Sequence, residues 1–192
     1  MGLPGSSDAE VRVLHEGYVG PRTAATVALI RDGDAAIVWD PGMVPSQDAI
    51  LDPLRAQDVS PRDVTDVVLS HHHPDHTVNV GLFAWARVHD HWAWYRGDEW
   101  VDREAEGFEV SPSARLTRTP GHTAECITIL VGTGDGIVAL THLWWSAAGP
   151  ADDPRATDPD ALHSSRRRVL EVADLVVPGH GATFRPGADT PR

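Results

Sequence analysis

The chain has 192 residues, a formal net charge of −12 and 16 basic residues, every one of them arginine. That length suits one domain, 1–192, large enough to bury a sizeable core. No apolar run approaches the ~20 residues of a membrane span, the N-terminus lacks the basic-then-apolar pattern of a signal peptide, and the single Cys126 rules out a disulfide framework within the chain. A soluble, cytoplasmic protein is the expectation, as monomer or homodimer. The acidity weighs against a groove that tracks a long polyanion, because such grooves are lined with Lys and Arg.

Residues 1–9 and 185–192 are expected to fray. Val11 to Glu16 and Thr23 to Arg31 read as strands. Asp32-Gly33-Asp34 is a hairpin signal, and Ala35 to Trp39 is the returning strand, closed by Asp40-Pro41-Gly42. Ser46 to Gln57 carries Ile50, Leu51 and Leu54 at helical spacing, with Pro53 counting against an unbroken helix. Val64 to Leu69 is an apolar run of the kind a buried strand shows. Val78 to Trp85 reads as a short helix, Ala86 to His89 as a strand, and residues 91–107 as a polar, Trp-bearing stretch with no clear period. Val110 to Thr119 contains a strand. Ile127 to Val131 and Ile137 to Leu140 form a hairpin around residues 132–136, and 146–158 is a loop. Asp160 to Ala173 reads as a helix and Leu175 to Val177 as a last strand.

The chemistry concentrates at Ser70-His71-His72-His73-Pro74-Asp75-His76, directly after the buried strand. Side chains two apart leave a strand end in the same direction, so His71 and His73 can share one metal ion while His72 points away. Pro74 forces a turn, and Asp75 and His76 leave it beside a helix start. His122 and His180 each follow a short apolar strand and a Pro-Gly pair, which places both at strand ends where a composite site collects its ligands. Nitrogen donors with a carboxylate suit one or two borderline cations such as zinc, with iron or manganese as alternatives. Arg166, Arg167 and Arg168 read as a solvated helix face, Trp144 and Trp145 as one wall of a cleft, and residues 92–100 as its other rim.

Together, His71-His72-His73-Pro74-Asp75-His76, Thr119-Pro120-Gly121-His122-Thr123, Pro178-Gly179-His180-Gly181 and Trp39-Asp40-Pro41-Gly42 resemble the metallo-β-lactamase superfamily of hydrolases. The resemblance implies an αββα sandwich, two mixed β-sheets flanked by helices, with metals at one edge. By position it implies a first metal on His71, His73 and His122, a second on Asp75, His76 and His180, and a structural role for Asp40 beneath the site. A narrower likeness, carried by Asn79-Val80-Gly81-Leu82-Phe83 and by residues 166–180, is to the group of metallo-β-lactamase domain-containing protein 1. One departure stands out. Where the superfamily ends a strand on a metal-bridging aspartate, this chain has Thr141-His142. His142 is the expected replacement ligand, and exchanging carboxylate for imidazole leaves the centre more positive.

The expected activity is hydrolysis by a hydroxide drawn at neutral pH from a metal-acidified water, with Asp75 orienting it. The resemblance and the positive centre favour a phosphodiester, a short RNA in particular; the compact cleft suits a small ester, thioester or lactone instead. A mononuclear-iron oxidoreductase and a catalytically weakened metal-binding protein are the further alternatives.

Overall fold

The structure, a computed structural model, describes residues 2–192. Its elements are β1 (Glu10–His15), β2 (Tyr18–Val19), β3 (Thr23–Ala24), β4 (Val27–Asp32), β5 (Ala35–Trp39), α1 (Asp48–Arg55), β6 (Asp66–Val68), α2 (Pro74–Thr77), a 3₁₀ turn over Val80–Phe83, β7 (Arg87–His89), β8 (Ala93–Arg96), β9 (Glu99–Asp102), β10 (Glu109–Ser111), β11 (Ala114–Arg118), β12 (Ile127–Thr133), β13 (Gly136–Leu140), α3 (Pro159–Leu170) and β14 (Leu175–Val177). One sheet has the order β1-β4-β5-β6-β7-β8-β9 and the other β10-β11-β12-β13-β14, while β2 and β3 pair as a separate ribbon. Both large sheets are mixed, since β5-β6-β7 and β13-β14 pair in parallel and the other neighbours antiparallel.

Alternation along the strands explains the layering. In β4, Ala28 and Ile30 face the second sheet and meet Leu116, Ile129 and Leu140 in the central core. Val27 and Leu29, one residue out of step, face the other way onto Ile50 and Leu54 of α1. Leu130, Ala139 and Val176 do the same for the second sheet, packing on Leu162 and Val169 of α3. The result is the expected αββα sandwich. β6, at the middle of its sheet, is buried at all three residues: Val67 and Val68 are apolar, and Asp66 is met by Arg87 and His89.

Several boundaries differ from the sequence reading. Thr23 to Arg31 is not one strand: Ala25 N–H turns to the Met43 carbonyl and Thr26 N–H to that of Gly179, which ends the β3 ladder and starts β4 afresh. Residues 91–107 hold the β8–β9 hairpin, turned at Gly97 with a positive φ of 61°. Val110 to Thr119 divides into β10 and β11. Val78 to Trp85 is not an α-helix: α2 covers Pro74–Thr77, starting at Pro74 where a missing N–H costs nothing, and a separate 3₁₀ turn spans Val80–Phe83. α1 is shorter than expected and carries Pro53 in its last turn. At the chain ends, Gly5 N–H bonds the Pro112 carbonyl, Ala9 bridges to Thr133 and Trp144 Nε1 donates to the Pro191 carbonyl. Among the described residues no helix is long and apolar enough to cross a membrane.

A candidate metal centre between the two sheets

The site is built on the loop that leaves β6. Beneath it, Asp40 adopts a positive φ of 44° and turns its carboxylate inward, where Oδ1 accepts the Ser70 N–H at 2.6 Å and Oδ2 lies 2.8 Å from His76 Nδ1. This is the structural role expected of Asp40. Gly42 allows the two loops to touch: a Cβ there would stand 1.8 Å from the Asp75 carbonyl oxygen. Met43 N–H closes the contact with a 2.8 Å bond to that oxygen.

From this base the donors converge as three overlapping triads: His71-His73-His122, Asp75-His76-His180 and His71-His76-His142. All seven residues proposed from the sequence are therefore brought together. His73 Nδ1 lies 2.9 Å from His71 Nε2 and 3.1 Å from His122 Nε2. His180 Nε2 lies 3.4 Å from His76 Nε2 and 3.1 Å from His142 Nε2. Asp75 Oδ2 is 3.5 Å from His76 Nε2 and 3.6 Å from His180 Nε2. A tetrahedral ion with ~2.0–2.1 Å bonds to nitrogen would hold its ligand atoms about 3.3 Å apart, so the spacing fits one cation on His71-His73-His122 and a second on Asp75-His76-His180, while the triad with His142 shares His71 and His76 with these two and adds no third ion. His142 sits on Gly179, where a Cβ would meet its Cδ2 at 2.5 Å. Its Nδ1 is buried with no hydrogen-bond partner.

Electrostatics agrees with the spacing. Burial, reinforced by neighbouring imidazoles, holds His71 and His142 well below the ordinary histidine pKa. Burial also lowers His73, and brings His180 down to about 4. Unprotonated rings expose lone pairs, which is what a cation requires. His72, as expected, faces outward to Asp90 at 3.3 Å, and that hydrogen bond raises its pKa. Cys126 is no nucleophile: burial pushes its thiol up to about 12.

The sequence reading missed what fixes the rings. Asp153 Oδ2 lies 2.7 Å from His122 Nδ1, Ser70 Oγ 2.9 Å from His71 Nδ1, and the Ala24 carbonyl accepts from His180 Nδ1 at 2.9 Å. Each commits Nδ1 outward and aims Nε2 at the centre. No motif marks Asp153, which lies far from His122 in the chain. Other expectations need correction. Arg166 is buried, not solvated, donating to the carbonyls of Leu143, Pro150 and Ala151. Trp144 is also buried, in the core under α3 instead of the cleft wall. Trp145 does line the cavity with the donors. His89, at the end of β7, is buried 2.8 Å from Asp66 and takes no part in the site.

A model of the metallo-beta-lactamase superfamily matches residues 20–93. The chain is 36% identical over 203 residues to metallo-beta-lactamase domain-containing protein 1 of Xenopus laevis, covering 95% of this chain and 84% of that protein. Against the Homo sapiens protein of the same name identity is 36%, over 84% of this chain and 64% of the relative, so it spans just under two thirds of the human protein. A putative metallo-beta-lactamase from Thermotoga maritima has a similar fold, with a TM-score of 0.76 at 24% identity over 93% of this chain and 100% of that one. An N-acyl homoserine lactone hydrolase follows at 0.65 and 17%, covering 91% and 93%. The chain belongs to the metallo-beta-lactamase superfamily, a metal-dependent family with a hydrolase fold. Within it, the chain falls in the group of metallo-beta-lactamase domain-containing protein 1.

Proposed function

We propose that this protein is a zinc-dependent hydrolase that cleaves phosphodiesters, short RNA foremost. The observation that carries the reading is the convergence of seven donors in three triads, with imidazole nitrogens 2.9–3.4 Å apart and no second carboxylate among them. Six nitrogens and one carboxylate suit zinc. A bound zinc supplies Lewis acidity and an acidified water at neutral pH.

The chain's own groups do the rest. Asp153, Ser70 and the Ala24 carbonyl hold His122, His71 and His180 in one tautomer each. Asp75, whose side chain is 21% exposed at the mouth of the site, accepts a hydrogen bond from the attacking water and orients it. Because Asp75 is the only carboxylate among the donors, cationic charge is left for the substrate oxygens. Asp40 and Asp153, each one residue further out, temper it without reaching the centre.

A small lactone or ester is the second reading, favoured by the apolar Met43, Val44 and Pro45 in the groove beside the donors and by the lactone hydrolase of similar fold. Metal-loaded protein assayed in parallel on a short RNA and an acyl lactone separates the two. We expect RNA cleavage, its loss on chelation, and a drop of more than ~100-fold in His73→Ala, beyond what losing an outer partner costs. Full activity after chelation refutes the scheme, and turnover of the lactone alone transfers it to the second reading.

A further inference from the structure

A groove of about 600 Å³ opens beside the donor cavity and shares Thr23, Asp75 and Arg155 with it. Two arginines reach it from separate segments: Arg22 from the β2–β3 turn and Arg155 from the loop before α3. Both are exposed, and among the described residues neither is paired with a carboxylate. Arg155 is nonetheless placed. Its guanidinium lies over the Trp145 ring, 5.9 Å from the centroid. Its backbone N–H donates at 2.9 Å to Asp153, the same carboxylate that holds His122 and accepts from Trp145 Nε1. The position of this cation is thus referenced, through one side chain, to the donor cluster itself.

In a chain of net charge −12, an anion approaching from solvent is repelled on average. Two unpaired guanidiniums at one groove reverse that locally, and their planar forks match the paired oxygens of a phosphate or carboxylate. Met43, Val44 and Pro45 add an apolar stretch to the same lining.

We propose that Arg155 and Arg22 form an anion subsite in this groove, holding a phosphate or carboxylate of the substrate that is not the group being cleaved, with an apolar portion laid against Met43 to Pro45. This rests on the hydrolase reading and narrows it to anionic substrates of at least two groups. A phosphate-bearing and a carboxylate-bearing substrate share this chemistry, and benzoate titrated beside diphenyl phosphate distinguishes them.

Binding is tested apart from turnover by titration calorimetry on the metal-loaded protein. The probes are diphenyl phosphate, an anion, and methyl diphenyl phosphate, its neutral analogue. Arg155→Met and Arg22→Met are each expected to weaken diphenyl phosphate about tenfold or more. Arg155→Lys should recover part of the loss, and added salt should weaken the parent's binding. The neutral analogue should bind all four proteins alike. Equal affinity of parent and variants for diphenyl phosphate, an equal loss for the neutral analogue, or no binding by the parent overturns the subsite. A parent that binds the anion through these arginines yet cleaves neither RNA nor lactone leaves the subsite standing and removes the hydrolase reading.

Discussion

His71, His122, His76 and His180 each have a dedicated partner on the ring nitrogen that faces away from the cluster: Ser70, Asp153, Asp40 and the Ala24 carbonyl. Such partners set tautomer and ring angle, and their loss typically costs 10–100-fold in metal affinity. Asp153→Asn should therefore weaken zinc binding by about that factor, measured by competition with a chromogenic chelator, while leaving the fold intact. Unchanged affinity would show that His122 is oriented by packing alone. At this scale the sequence was informative where spacing carries direction. His71 and His73, two apart at a strand end, point together, and His72 between them points to Asp90. It was silent on Asp153 because nothing local links a loop carboxylate to an imidazole brought near it only when α3 docks.

α3 shows where composition misleads. Leu162, Ser165, Arg166 and Val169 form one buried face at helical spacing, so Arg166 occupies a core position that composition assigns to water. Its charge is met by the carbonyls of Leu143, Pro150 and Ala151, a loop that would otherwise have no donor there, and its guanidinium lies 5.7 Å from the Trp144 ring centroid. Arg166→Met keeps the stem but leaves three acceptors short, an expected loss of about 3 kcal/mol. In a chain of this size that is a fall of roughly 6–12 °C in Tm. Exposed Arg167→Met is the control and should not move it. The β8–β9 hairpin escaped notice for a different reason. β9 is exposed along its whole length, so no burial imposes an alternation on its residues, and the Gly97-Asp98 turn is the one signal it leaves.

Across the whole molecule, the acid response follows from the buried imidazoles. The folded-state pKa of His180, about 4, lies below the 6.5 of an ordinary histidine, so as pH falls protons bind the unfolded chain first. Stability present above pH 6.5 is lost progressively down to about pH 4. His180 alone accounts for about 3 kcal/mol of that as an upper figure, and His71, His73 and His142 act in the same direction. Denaturant midpoints of the chelated protein should fall steadily across this window; a flat profile would mean that the rings are not desolvated as described. The sandwich itself was legible, because both β4 and β12 alternate or run apolar as covered strands must. The assignment of strands to two sheets was not, since it depends on which edges pair.

That division has a kinetic corollary. Every triad draws two donors from the segment between β6 and the end of α2, and its third from a loop of the five-stranded sheet, at His122, His142 or His180. Neither layer alone offers a complete coordination set. An ion in the role proposed here could not template either half during synthesis; its capture would come last, as a seal on two layers already docked.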